Sequence, residues 1–201
     1  MIAMFGIPRG EIVATADQRC VMRATWTDYE ALDAIRGEHA RPRITYLDGA
    51  VELMSPSNDH EEIKSKIGRL VDAFCLARRI IIQPFGSWTL KSETSEVAAE
   101  PDECYVFGGS RKALPDLAIE VVWTSGGLDK LEVYRRLGVG EVWFWKSDRL
   151  TVHVLGANGY ERRDRSSCLP DIDLELLVSL LDLSTLNEAV DRMQAFAKSL
   201  A

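Results

Sequence analysis

The chain has 201 residues, 46% of them hydrophobic and 27% charged, with 24 Lys and Arg against 31 Asp and Glu for a net charge of −7. That length suits one domain, and the composition excludes long low-complexity disorder and a disulfide-built miniprotein. The acidic balance argues against a protein that coats nucleic acid through a general basic field, but leaves room for a local basic groove or for carboxylates that hold a metal.

Residues 1–24 have no clean periodicity and read as a leader, with flexibility expected there; a single domain over 25–201 follows. Thr27 and Glu30 have the spacing of a capping box, predicting a short helix to about Ile35 that Gly37 ends. Two strand-like runs flank Asp48-Gly49, a hairpin signal. After the break at Ser55 to Asn58, the apolar stripe Ile63, Ile67, Leu70, Val71 and Phe74 predicts a helix to about Arg78, with His60 on the buried side of its first turn. Strands are predicted at 80–83 and 87–91, broken by Pro84 and Gly86, then a loop over 92–99. Further strands run from Glu100 to Phe107 and from Asp116 to Trp123. A helix from about Leu128 to Leu137 stops at Gly138. Strands around Ser147–Arg149 and around the Asn158-Gly159 turn complete a meander, and helices with a break at Leu183-Ser184 fill the rest from about Leu174. The order predicts an α/β domain, a central mixed sheet flanked by helices.

No stretch approaches the ~18 consecutive apolar residues of a membrane-spanning helix. The first residues, MIAMFGIPRG, lack a basic opening and a long apolar segment, so no secretory signal is read and a cytoplasmic protein without membrane contact is expected. Cys20, Cys75, Cys104 and Cys168 form no Cys-x-x-Cys pair, which removes zinc-ribbon and thioredoxin-type motifs and leaves reduced thiols.

The informative residues are acids inside apolar strands, where a lone carboxylate is costly unless paired or bound to a cation. Glu120 lies between Ile119 and Val121, and alternation puts it on one side with Asp116, Ala118 and Val122. Asp102 shares a side of its own strand with Glu100 and Cys104. If the two strands are neighbours, Asp102 and Glu120 converge into a hard oxygen site suited to magnesium or manganese. Lys130, Tyr134 and Leu137 follow at helical spacing, so the Lys130 amine can reach the strand ends and stabilise charge developing on a phosphate. Two acids, a metal and a lysine can hydrolyse phosphodiesters. The same residues read equally well as a structural ion pair between Glu120 and Lys130.

Four segments carry a resemblance: Y-L-D-G-x-x-E-L-M-S-P-S (Tyr46 to Ser57), E-P-D-E-C-Y (Glu100 to Tyr105), D-L-A-I-E-V (Asp116 to Val121) and L-D-K-L-E-V-Y-R-R-L-G-V-G-E-V-W (Leu128 to Trp143). Together, and in order from about Thr25 to Asp173, they resemble the Uma-two family of restriction-endonuclease-like proteins in the PD-(D/E)XK superfamily. The resemblance implies a restriction-endonuclease-like core and a metal-dependent endonuclease acting on DNA. It implies Asp102 and Glu120 as ligands of magnesium or manganese, Lys130 as the catalytic amine, and His60 as an accessory residue. Glu100 is a further accessory candidate, as a second acid near the metal. Val122 departs from the pattern: the superfamily's lysine commonly stands there, and an aspartate is expected in this subgroup. That departure favours the alternative of a catalytically inactive nuclease-fold module that binds nucleic acid or protein. Cleavage of both strands of a duplex would be easiest for a homodimer.

Overall fold

The computed structural model describes residues 16–123 and 127–200. In chain order these fold as β1 (Gln18–Arg23), α1 (Trp26–Arg36), β2 (Arg43–Leu47), β3 (Ala50–Ser55), α2 (Asn58–Ala77), β4 (Ile82–Phe85), β5 (Leu90–Ser92) and β6 (Val97–Ala99). There follow β7 (Glu103–Phe107), β8 (Leu117–Val121), α3 (Lys130–Leu137), β9 (Glu141–Lys146), β10 (Arg149–Gly156), β11 (Gly159–Arg163), α4 (Leu174–Leu181) and α5 (Leu186–Ser199).

The α/β class is as expected, but the strands divide between two sheets. β1-β3-β2-β6-β5 form an antiparallel sheet, and β11-β10-β9-β8-β7-β4 form a mixed one whose parallel pair is β8 with β9. A parallel pair needs a crossover connection, and α3 supplies it. The layers follow from which faces are apolar. Trp26 and Tyr29 of α1 pack with Ile44, Tyr46 and Val51 on the outer face of the first sheet. Val133, Tyr134 and Leu137 of α3 fill the space between Val97 and Ala99 of the first sheet and Ala118 and Val142 of the second. The other face of the second sheet, with Leu117, Ile119, Trp143 and Val152, is covered by α2, α4 and α5.

Local chemistry sets the element ends. The β2–β3 turn places Asp48 and Gly49 at positive φ, 48° and 77°, as a tight hairpin requires. α1 is capped two residues earlier than expected: Thr25 accepts from the Asp28 N–H at 3.2 Å, and Asp28 accepts from the Thr25 N–H at 2.8 Å. The shift carries Trp26 into the helix, where its ring meets Tyr29 at 4.8 Å and Tyr46 at 5.4 Å. Ser57 caps α2 by accepting from the His60 N–H at 3.2 Å.

Three sequence expectations change. Of the expected leader, residues 1–15 lie outside the described residues. Gln18–Arg23, however, form an edge strand paired with β3 from Gln18↔Ser55 to Arg23↔Ala50. That strand is exposed along most of its length and so leaves no apolar alternation to read. The expected loop over 92–99 contains β6, whose three small residues are fully buried but too few to show a period. Pro84 lies within β4 rather than breaking it, because β4 is the edge of the second sheet, where a missing N–H costs no pairing. The four cysteines are free thiols. No helix among the described residues is long and apolar enough to cross a membrane.

Candidate active site

The site grows from one face of the second sheet. Glu120 on β8 lies beside Phe144 on β9, and Phe144 lies beside Thr151 on β10. A neighbouring row runs Ala118, Val142, His153 and Arg162, and Lys146 pairs with Arg149. Paired residues share a face. Where α3 leaves it uncovered, this face carries Glu120 beside several cations.

Glu120 is buried, and its Oε1 is held twice. Lys130 Nζ, on the first residue of α3, donates to it at 3.2 Å, and the Tyr134 hydroxyl one turn later donates a short hydrogen bond to the same oxygen. Burial first, and then the neighbouring carboxylate, push the Tyr134 hydroxyl well above its ordinary pKa, so it stays a proton donor. No hydrogen bond from a described residue reaches Glu120 Oε2. A cavity of about 560 Å3 opens beside Glu120, between the uncovered sheet face, the start of α3, and β1 and β3 of the first sheet. Five Lys or Arg side chains line it (Arg19, Lys130, Lys146, Arg149 and Arg162) against three acids, Glu52, Glu120 and Asp129. In a chain of charge −7 this is a local excess of positive charge. His153 in the same wall is pushed toward its neutral form, by burial and then by the Arg162 guanidinium.

Asp102 occupies different surroundings. It lies just before β7, and the pairing Glu103↔Ile119 sets it opposite Glu120 at the next step. Its side chain is fully buried, and it does not line the cavity. Oδ1 contacts the Arg43 guanidinium and lies 2.9 Å from His60 Nε2, while Oδ2 accepts from the Val121 N–H at 2.6 Å. His60 reaches Asp17 Oδ2 through Nδ1 at 3.1 Å. Burial would raise the Asp17 carboxyl, but hydrogen bonds from His60 and the Ser57 N–H outweigh it and hold the group below the usual aspartate range. Glu100 faces elsewhere: Oε1 pairs with Arg36 at 2.6 Å and accepts from Thr89 Oγ1 at 2.8 Å, and Oε2 accepts from the Ile44 N–H at 3.1 Å.

The structure thus joins Glu120 to Lys130 and Asp102 to His60, with the Val121 backbone linking the two groups, and separates Glu100 from both. Each carboxylate has about four lone-pair sites. Asp102 spends two on Oδ1 and one on Oδ2, while Glu120 spends two on Oε1. Sites remain on Asp102 Oδ2 and Glu120 Oε2, hard donors that suit magnesium or manganese. No group of three or more His, Cys, Asp or Glu among the described residues gathers to hold a metal. A pair of carboxylates is still compatible with magnesium, which keeps several waters and takes substrate phosphate oxygens.

Three polar residues at or behind the site escaped the sequence reading. Glu52 is buried on β3 and lines the cavity; it pairs with Arg19 at 3.4 Å and accepts from the Leu128 N–H at 2.8 Å, steering the chain into α3. Its signal was available: an acid between Val51 and Leu53 breaks an apolar strand as Glu120 does. Arg43 and Asp17 gave no such signal, since a strand-start arginine and a leader aspartate are ordinary surface residues in sequence.

The second sheet thus makes a mixed α/β protein whose central strand β8 carries a buried acid beside a basic cavity. The chain belongs to the Uma2 family, described as "Putative restriction endonuclease", whose model matches residues 26–187. Among solved structures, the crystal structure of a "putative nuclease belonging to DUF820" from Anabaena variabilis ATCC 29413 is similar at 15% identity and a TM-score of 0.48, over 86% of this chain and 98% of that one. No curated protein matches the chain.

Proposed function

We infer that this protein is a metal-dependent nuclease that hydrolyses phosphodiester bonds in DNA, acting in the cytoplasm with Glu120, Lys130 and Asp102 as its working residues. The observation that carries the reading is the Glu120–Lys130 pair in the wall of a cavity with an excess of cations. Tyr134 and Lys130 fix Oε1 of Glu120 and thereby aim Oε2 at the open side. The Lys130 ammonium is positioned to donate to a phosphoryl oxygen as negative charge builds on it. Lys146, Arg149 and Arg162 supply charge for the flanking phosphates. Asp102, steadied by Arg43 and His60, would complete the oxygen donors behind Glu120. A magnesium or manganese ion held by Glu120 and Asp102 would supply Lewis acidity toward the phosphoryl group and lower the pKa of a bound water. A homodimer would present two such sites to a duplex.

A second reading has its own observation. The closed contacts of Asp102, together with Val122 on the cavity wall, favour a nuclease-fold module that binds nucleic acid without cutting it. Incubation with plasmid and with single-stranded DNA, with magnesium, manganese or chelator, separates the two. Metal-dependent cleavage that disappears in both Glu120→Gln and Lys130→Ala supports the enzyme. Binding without any cleavage supports the module.

A further inference from the structure

A phosphate backbone laid across an active site needs charge and hydrogen-bond donors, and nothing apolar. This cavity has both kinds of lining. Phe144 stands beside Glu120 on the sheet face, half-buried, and His153 meets it edge-to-face with ring centres 5.6 Å apart and planes at 85°. Met54 from the first sheet and Val122 close the apolar part of the wall. At about 560 Å3 the chamber falls in the range of roughly 300–1,000 Å3 that encloses small organic ligands.

The cations are placed to serve a strand that enters it. Lys146, Arg149 and Arg162 line it and make no ion pair with any described residue. Arg149, Thr151 and Arg162 also line a second cavity of about 550 Å3, which extends along β10 and β11 to α4. The two cavities share a wall, and the shared wall is basic.

We propose that the chamber beside Glu120 is a nucleobase site that takes one unpaired nucleotide of a single DNA strand, the strand running from it over Arg149 and Arg162. The inference rests on the nuclease reading and narrows its substrate to single-stranded or locally opened DNA. The base lies against Phe144 and the His153 ring, and its phosphates meet Lys146 and the two arginines. Every base has a π-face, so such a site is tolerant of sequence. A duplex must first extrude the base, which costs pairing and stacking that a single strand does not lose.

The test is fluorescence anisotropy of a labelled thymidine oligonucleotide and of a duplex of equal length, with the full chain in chelator so that no cleavage occurs. The single strand is expected to bind about ten-fold tighter than the duplex, the scale of one base stacked on an aromatic ring. Phe144→Leu and His153→Ala should each remove most of that preference without weakening duplex binding. Arg149→Gln and Arg162→Gln should weaken both and reduce the salt slope by about one each. Because Phe144 and His153 are both half-buried, melting curves accompany both variants, and whichever one stays folded keeps the test decisive. Equal affinity for both DNAs, or a preference indifferent to Phe144 and His153, overturns the proposal. Cleavage by a protein without strand preference would sink the base site and spare the nuclease reading. Strand preference without metal-dependent cleavage would do the reverse.

Discussion

Asp102 and Glu120 stand opposite one another on adjacent strands, yet their side chains have different freedom. Asp102 is sealed: a guanidinium, an imidazole and a backbone N–H use three of its lone pairs, and it does not line the cavity. Glu120 is anchored on one oxygen and open on the other, at the wall of a cavity. Two acids with the same sequence signal therefore divide the work. One binds the two sheets together beneath the site, since Arg43 comes from the first sheet and the Val121 N–H from the second. The other lines the cavity. A buried acid in a strand shows that something must compensate it, and only the fold shows whether the compensation uses up the acid or aims it.

The division is sharpest in the two deletions. Asp102→Ala takes one of two carboxylates from the nearly buried Arg43, which keeps Glu61 at 3.0 Å, and breaking a buried pair costs up to about 3–5 kcal/mol. In a chain of this size the melting temperature should fall by on the order of 10 °C. A variant that melts like wild type would show that Asp102 is not the structural tie its contacts describe. Glu120→Gln keeps the shape and an acceptor for Tyr134, and Lys130, still 15% exposed, can turn to solvent, so its melting loss should be smaller than that of Asp102→Ala. Its cleavage rate should fall by at least about 100-fold, because losing the carboxylate charge weakens the hold on the metal proposed there more than the roughly 10–100-fold that an outer-shell change costs. The comparison fails if the two variants exchange behaviours, with Glu120→Gln unfolding and Asp102→Ala melting like wild type.

A smaller effect tests how the open side is built. Gly127 passes so close to the first sheet that a Cβ there would collide with the Glu52 carboxylate and lie 2.7 Å from Arg19 Nη1. Gly127→Ala must displace either those two side-chain ends or the entry to α3, and Lys130 with it. Overpacking of this kind costs about 1–3 kcal/mol, and cleavage should fall while Asp102 and its partners are untouched. Wild-type melting and activity in Gly127→Ala would mean that Glu52 and Arg19 move aside freely and do not position α3.

Much of this frame could be read in the sequence because it depends on local rules. The Asp48-Gly49 turn, the α2 stripe from Ile63 to Phe74 and the run of Lys130, Tyr134 and Leu137 up to Gly138 each follow from a period or a backbone preference within a few residues. Glu120 stood out because an acid is costly between Ile119 and Val121. What stayed hidden is non-local. The pairing of β1 with β3, the split into two sheets, and the meeting of Asp17, Arg43, His60 and Asp102 join distant segments whose own patterns are ordinary. Glu52 lies between these cases: its strand position flagged a buried acid, but its partners, Arg19 and the Leu128 N–H, come from elsewhere in the chain.

The sealed side should also register pH through Asp17. Its carboxyl is held below the ordinary aspartate value of 3.8, because hydrogen bonds from His60 and the Ser57 N–H outweigh its burial. With a depressed folded value, the unfolded chain binds the proton more readily than the native one. The stabilisation is therefore complete above the unfolded value, near pH 4, and drains away as pH falls through the lower folded value. Asp17→Asn removes this linkage. Melting temperature followed from pH 7 into the acid range should show wild type above the variant at neutral pH, with the gap narrowing only below about pH 4. The mutation lies behind His60, away from the residues that line the cavity, so DNA binding at pH 7 should be unaffected. Parallel curves across the whole range would mean that Asp17 does not hold the His60–Asp102 chain in place. The sealed cluster would then end at His60.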